Sequence, residues 1–495
     1  MYFMELPSIH WPQRGAWVRM AELFGALMLL GLGARLVYRP DAQSMLRHAD
    51  ALFATGRYYE ARTLYRMPGA PDAQLLLRRG MIAAVRGEGL VAGRSFAQAL
   101  ALGVQGGDYD LTRLYQGHVA MQKGQTQEAF GFWRTIAPAS PLSPYRHVLK
   151  AEAQLGTGDY AAAEASYRAA LDLDMARDWR SLAWSRIAAL RATSDRDGAW
   201  AALAQHADGA AVPPPFIAAL LPTAAPAAVQ LAAVVAAPPD VRAQQLGQIY
   251  LDAGWYALAE AQFAAVGPGP AGLSAQAYAA YARLRAGDRA GGVQRLEALV
   301  DAYPNEARAR ALLALAYLNE TDPIRAKQQL DLARTLAPST PDTHLAWGQW
   351  DAAQHDYVGA ADEYRRALAA AAPEQRGTYA LALARFQLDT TVHVCADGRP
   401  AAENAVQLLP NDGGAWTILA EARLACGDAA GARTAAAAAL KHAPDSAEAA
   451  LYLGEALARQ GQHDAARTAL IAAADMAPAS AWRVKAERQL AALGT

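Results

Sequence analysis

From residue 42 onward, apolar side chains recur at the i, i+3, i+4 spacing of amphipathic helices, and the helical stretches come in pairs. A short phrase marks the middle of each pair. It reads GRYYEARTLY from Gly56, GQTQEAFGFW from Gly124, GDYAAAEASY from Gly158 and GWYALAEAQF from Gly254. It continues as GDRAGGVQRL from Gly287, HDYVGAADEY from His355, GDAAGARTAA from Gly427 and GQHDAARTAL from Gly461. The leading glycine suits the C-cap of one helix, because it tolerates positive φ. Five places on, a small residue (Ala61, Ala129, Ala163, Ala259, Gly292, Ala360, Ala432, Ala466) lets two helices approach closely. Four residues later a larger side chain falls on the same face: Tyr65, Trp133, Tyr167, Phe263, Leu296, Tyr364, Leu470. That spacing predicts a core stripe.

Prolines set the period. Pro304 to Pro338, Pro410 to Pro444 and Pro444 to Pro478 are each 34 residues apart, just beyond the second helix of a pair. The first helices repeat as well, as Leu246-Gly247-x-x-Tyr250, Leu313-Ala314-x-x-Tyr317, Trp347-Gly348, Trp416-x-x-Leu419-Ala420 and Leu453-Gly454. With these residues the chain resembles the tetratricopeptide-repeat (TPR) family, whose helix-turn-helix unit reads W-x-x-L-G-x-x-Y, then A-x-x-x-F, then P. The resemblance implies an all-α fold, a right-handed superhelical TPR solenoid of about 11–12 helix pairs with a C-terminal capping helix. The expected divisions are an N-terminal segment 1–41, a TPR arm 42–211, a Pro/Ala-rich degenerate pair or bend 212–239, a second arm 240–480 and a cap 481–495. In the cap, Arg483, Lys485, Glu487 and Arg488 are expected to face water, as the end of an open solenoid requires.

The repeat breaks twice. Residues 209–239 carry no charge until Asp240 and read either as a second membrane segment or as a shortened, buried helix pair over 216–221 and 226–236. Pro222 and Pro226 favour the buried pair, since helices of two to three turns suit a core and not a bilayer. In the repeat 375–412, Ala382 and Ala405 stand farther apart than the matching pairs Ala314 to Ala333 and Ala420 to Ala439, so extra residues enter the turn at 389–400. Cys395 lies in that turn and Cys426 ends the first helix of the next repeat. Stacked repeats bring the two positions to one edge, so a disulfide is one expectation and two unpaired thiols the other.

Charge and composition bear mainly on function. There are 46 basic against 47 acidic residues, and this balance argues against a nucleic-acid partner. Hydrophobic residues make up 53% of the chain, which is ample for a continuous core. Two cysteines cannot build a multi-thiolate zinc site. No Walker loop, H-E-x-x-H, G-x-S-x-G or paired C-x-x-C occurs. The one G-x-G-x-x-G, at Gly267, Gly269 and Gly272, follows a helical repeat and contains Pro268 and Pro270, which remove donors a pyrophosphate would need. His393 and Cys395 have no acid–base partner beside them. No catalytic residue, cofactor, metal or small-molecule substrate is therefore expected, and the chain reads as non-enzymatic.

The first forty residues are a separate matter. Residues 23–34 (LFGALMLLGLGA) are uncharged, short of the roughly 20 that span a bilayer, and fit a signal-peptide hydrophobic region. Extension to Tyr38 gives a short anchor, with Trp11, Trp17 and Tyr38 at interfacial positions; a buried first helix is the remaining reading. The anchor predicts a membrane-anchored protein with its soluble part outside the cytoplasm. Arginines on both flanks leave its orientation undecided.

In TPR proteins the first helix of each pair lines a concave groove. The resemblance places Leu77, Met81, Leu114, His118 and Met121 in an N-terminal groove. It places Gln248, Tyr281, Leu315, Leu318, Tyr379, Leu383, Phe386 and Glu421 in a C-terminal one. The lysines and asparagines of the family's clamp for acidic C-terminal peptides are missing from these positions. An apolar groove bearing Tyr and Met suits an amphipathic helix or extended apolar peptide instead. The expected function is a membrane-anchored, non-enzymatic protein-interaction scaffold. The alternative is a non-catalytic subunit of a membrane-bound enzyme or secretion complex.

Overall fold

The computed structural model describes residues 42–494 except 67–70, 193–194, 206–215, 223–230, 232–233, 374 and 392. Its first pairs are α1 (Ala42–Ala54) with α2 (Tyr58–Tyr65), α3 (Ala73–Val85) with α4 (Gly89–Ala101), and α5 (Gly106–Gln122) with α6 (Thr126–Arg134). Next come α7 (Ser143–Gly156) with α8 (Tyr160–Leu171), and α9 (Arg177–Arg191) with α10 (Arg196–Gln205). After a 3₁₀ turn at Ala218–Leu220 the pairs resume with α11 (Pro239–Asp252) and α12 (Tyr256–Ala264), then α13 (Pro270–Arg285) and α14 (Arg289–Ala302). They continue as α15 (Ala307–Asn319) with α16 (Pro323–Leu336), α17 (Pro341–Ala353) with α18 (Tyr357–Ala370), and α19 (Arg376–Asp389) with α20 (Arg399–Leu408). The last are α21 (Gly413–Ala425) with α22 (Ala429–His442), α23 (Ala447–Arg459) with α24 (His463–Met476), and a final single helix α25 (Ala481–Leu493). Among the described residues there is no β-strand. The fold is an all-α solenoid of stacked helix pairs.

One steric device joins the two helices of a pair. A glycine on the first helix lies against a large side chain sixteen residues on: Gly80 on Phe96, Gly117 on Trp133, Gly247 on Phe263, Gly348 on Tyr364 and Gly454 on Leu470. A Cβ on any of these glycines would fall within 3 Å of the facing side chain, so the close approach requires its absence. Elsewhere Ala151 and Ala314 are the small residues, facing Tyr167 and Leu330, and all four are fully buried. Burying each large side chain contributes about 1.5–3 kcal/mol. The turn inside the pair is fixed by a second device. Asp159, Asp288, Asp322, Asp356 and Asp428 each accept a hydrogen bond from the backbone amide three residues on, at the start of the second helix. Such a cap is worth about 1 kcal/mol. The residue immediately before the cap takes positive φ, glycine at 158, 287 and 427 but Thr321 and His355 in the other two turns. There the left-handed backbone costs about 1–2 kcal/mol.

The break after α10 is packed into the body of the protein. A single buried cluster runs from Ala49 to Ala282 and takes in Ile217, Leu220, Leu231 and Val235. The expected helix over 216–221 is only the three-residue 3₁₀ turn, and most of the expected partner over 226–236 lies outside the described residues. The membrane placement is corrected as well. Among the described residues no helix is long and apolar enough to cross a membrane, and the anchor assigned to residues 23–34 lies outside them.

The cap does not end in water. Arg86, 3% exposed, donates to both carboxylate oxygens of Glu487, at 2.7 and 3.2 Å across 401 residues of sequence. It also donates to Glu88 at 2.9 Å, while Arg483 lies 3.0 Å from Glu487 and 4.0 Å from Glu88. The Tyr59 amide donates to Asp475 at 2.7 Å, and Tyr59 packs on the apolar cluster around Leu470, Ala486 and Leu490. The last helices therefore return to the first, along a seam that combines these ion pairs with the apolar contact of Tyr59. Of the four cap residues expected in water, Lys485 and Arg488 are exposed, whereas Arg483 and Glu487 are committed to the seam.

Two acids in the seam titrate in opposite directions. Burial pushes Asp475 up to about 7, with Glu60 adding to the shift and the Tyr59 and Tyr58 amides and Arg57 opposing it. Burial also pushes Glu487 up, but its bonds to Arg86 and the charges of Arg86, Arg483 and Arg62 outweigh this and hold it below 4.5. The stability linked to Asp475 is full below its ordinary value and lost as pH rises through about 7. That linked to Glu487 is present above its ordinary value and lost as pH falls through its lowered one. The seam should thus hold best in mildly acidic solution. Fluorescence transfer between labels on α2 and α25 should fall between pH 5 and pH 8, and Asp475→Asn should flatten that loss. In a separate test, Gly348→Ala puts a Cβ 2.8 Å from the Tyr364 ring. Overpacking of about 1–3 kcal/mol should exceed the gain in helix propensity of about 1 kcal/mol, so the thermal midpoint by circular dichroism should fall.

Candidate partner groove

The first helices of the early pairs are already covered. Phe216 sits with its ring 5.5 Å from Phe53 of α1, edge to face, and 4.3 Å from the Arg78 guanidinium of α3. Tyr115 of α5 donates its hydroxyl proton to the Phe216 carbonyl at 2.7 Å. Phe216 holds a left-handed backbone, φ 74°, an unusual state for an aromatic residue that these contacts sustain. The chain's own segment thus occupies the groove face of three consecutive pairs. This corrects part of the N-terminal groove: Leu77, Met81 and Leu114 are 0% exposed and belong to the same core as Phe216, Ile217 and Leu220. His118 stays half-buried beside Gln122, its imidazole pushed by burial down to about 4, and Met121 packs on the core edge.

Open surface begins farther along. A cleft of about 460 Å³ lies between the end of α7, the start of α8 and the turn into α12, with Leu155, Tyr160, Trp255, Tyr256 and Arg285 among its walls. A second, of about 540 Å³, continues along the ends of α13, α15 and α17 past Tyr281, Arg285, Leu315, Leu318 and Gln349. Arg285 is common to both. Its guanidinium donates to the hydroxyls of Tyr256 at 2.9 Å and Tyr281 at 3.2 Å, and those phenol oxygens hold it above its ordinary pKa despite partial desolvation. It makes no ion pair among the described residues. A permanent cation lying over two tyrosine rings, 5.2 and 5.9 Å from their centroids, is suited to a carbonyl or carboxylate acceptor on an extended chain. The hydroxyl of Tyr160, in the first cleft, is buried with no hydrogen-bond partner.

The other expected groove residues divide. Tyr281, Leu315 and Leu318 line the second cleft. Tyr379 donates to Asp342 at 2.8 Å, and Glu421 pairs with Arg385 at 3.0 Å, beside a third cleft of about 380 Å³ that Arg385 lines. Gln248 is exposed and bonds Asp252 within its own helix. Leu383 and Phe386 are corrected: both are buried, and Phe386 stacks on Tyr364 of the preceding pair with centroids 4.6 Å apart. Tyr160, Trp255, Tyr256 and Arg285 were not singled out from the sequence. Trp255, which follows Gly254 where every other copy of the repeated phrase carries Arg, Gln or Asp, was the available signal.

These stacked pairs and their groove agree with a direct match: the model of the tetratricopeptide repeat fits residues 146–175, covering α7 and α8. Those residues are a TPR unit. Similar solved structures include a TPR protein, YrrB, described as having an unusual peptide-binding site (21% identity over 39% of this chain and 97% of that one, TM-score 0.32). They also include the APC/C hetero-tetramer Cut9–Hcn1 (14% identity, 94% and 92%, TM-score 0.40) and yeast Tom70 (12%, 92% and 95%, TM-score 0.37). No curated protein matches the sequence. Among the described residues no group of three His, Cys, Asp or Glu is arranged to hold a metal ion.

The inserted turn of the pair α19–α20 carries Cys395, and Cys426 caps the end of α21 in the next pair. The two are joined by a disulfide, with Cα atoms 5.4 Å apart, and Cys395 lies in a π-helical turn (Val394–Gly398) that follows left-handed residues at Thr391 and His393. Native protein isolated without reductant should contain no alkylatable thiol and weigh two hydrogens less than the reduced chain; labelling at both cysteines would show the bond absent.

Proposed function

We propose that the protein is a non-enzymatic TPR scaffold that holds an extended or helical segment of a partner protein along α13, α15 and α17. The observation that carries the reading is Arg285, cationic and without an ion pair, between Tyr256 and Tyr281 on a wall that runs on into Leu315 and Leu318. The arrangement offers a fixed polar anchor, aromatic rings of low conformational cost and apolar shoulders one repeat away. Nothing in these clefts pairs a nucleophile with a base. The N-terminal groove face is spoken for by Phe216, whereas the clefts around Arg285 leave the first helices there accessible.

Selection of a random peptide library on the full-length protein supplies the test. Selected peptides should bind in the micromolar range or tighter, and Leu318→Arg with Tyr281→Ala should weaken them by about tenfold or more. Peptides that bind the double variant as well as the parent, or a library that yields no binder, would defeat the proposal.

A further inference from the structure

A separate cleft of about 450 Å³ lies between the second helix of one pair, α6, and the first helix of the next, α7. Its apolar floor is Phe130, Trp133, Ile136 and Pro138, and its charged wall is Arg134, Arg146, His147 and Lys150. No acidic residue lines it. This is not the groove already described. Arg146, His147 and Lys150 centre about 180° around α7 from Glu152, Leu155 and Gly156, given a 100° advance per residue, and those three residues line the cleft shared with Arg285.

The charge there is uncompensated. Neither Arg134 nor Lys150 makes an ion pair among the described residues. Arg146 donates to the carbonyls of Trp133 and Ile136, which fixes it in the wall, and its Nε is buried with no hydrogen-bond partner. The nearby acid acting on it is Asp110, buried in α5. Burial, then the charges of Arg146 and Lys150, push His147 below its ordinary pKa, as a net positive field would. An apolar floor beneath a cationic rim is complementary to a bulky apolar side chain flanked by carboxylates.

We infer that this outer cleft is a second docking site, for an acidic segment of a partner protein that inserts an aromatic or aliphatic side chain between Phe130 and the Arg134, Arg146 and Lys150 charges. The site acts independently of the Arg285 groove, so either can fail alone.

The probe is a fluorescein-labelled, N-acetylated hexapeptide Asp-Leu-Phe-Asp-Glu-Leu, measured by anisotropy on the full-length protein against its Asn/Gln counterpart. The acidic peptide should bind, the neutral one should bind at least about tenfold more weakly, and added salt should narrow the difference. Arg134→Glu with Lys150→Glu, both on accessible side chains, should abolish the preference, and Tyr281→Ala should leave it unchanged. Equal binding of the two peptides, binding of neither, or loss with Tyr281→Ala alone would overturn the inference. Binding of decanoate, lost with Arg134→Glu and Lys150→Glu, while neither peptide binds would assign the cleft to a free apolar acid and overturn it too.

Discussion

The described pairs bring their two helices together at a small residue, and in five of them only glycine fits there. The missing Cβ at Gly80, Gly117, Gly247, Gly348 and Gly454 makes room for a ring or a leucine from the partner helix. That contact sets the tilt of the pair, and the tilt is copied from pair to pair because the spacing is copied. A repeat array inherits its curvature from this one local decision. The curvature then determines where the first helices gather and where the chain's last helices arrive. Groove and seam alike are downstream of it.

The seam changes how the array should be regarded. In an open solenoid the terminal faces must be made polar, and charges on the last helix serve that purpose. Here Arg86, Glu88, Arg483 and Glu487 do so by pairing with one another across the joint. Arg86 is nearly buried, so its ion pair with Glu487 works largely through geometry: it specifies where the two ends meet, whereas the apolar contact of Tyr59 with the cluster around Leu470 supplies burial.

The helix pairs were legible in the sequence because their determinants are local: a glycine ending the first helix, a small residue five places on and a larger one four places after that. The two cysteines were brought to one edge by counting residues in a single turn. Tyr281, Leu315 and Leu318 were expected on an open face because the first helix of a pair has a constant outward register, and they line the second cleft. What could not be read were contacts between distant repeats. Phe216 covers α1, α3 and α5 from 101 residues beyond Tyr115 and farther still from Phe53 and Arg78, and no periodicity announces it, so Leu77, Met81 and Leu114 looked like a groove and are core. Arg483 and Glu487 looked solvated because that is the ordinary fate of charges on a final helix. The phenol frame of Arg285 joins two repeats through side-chain tips, and patterns of burial are blind to it.

Closure of the chain has a mechanical consequence. A linear stack of repeats loosens from its extremities, since each terminal unit has a neighbour on one side only, and unravelling proceeds inward one unit at a time. Where the first and last units support each other, neither can peel away while the other remains folded. Loosening must begin by parting Arg86 from Glu487 and Tyr59 from Asp475 together, so the two extremities share a single threshold.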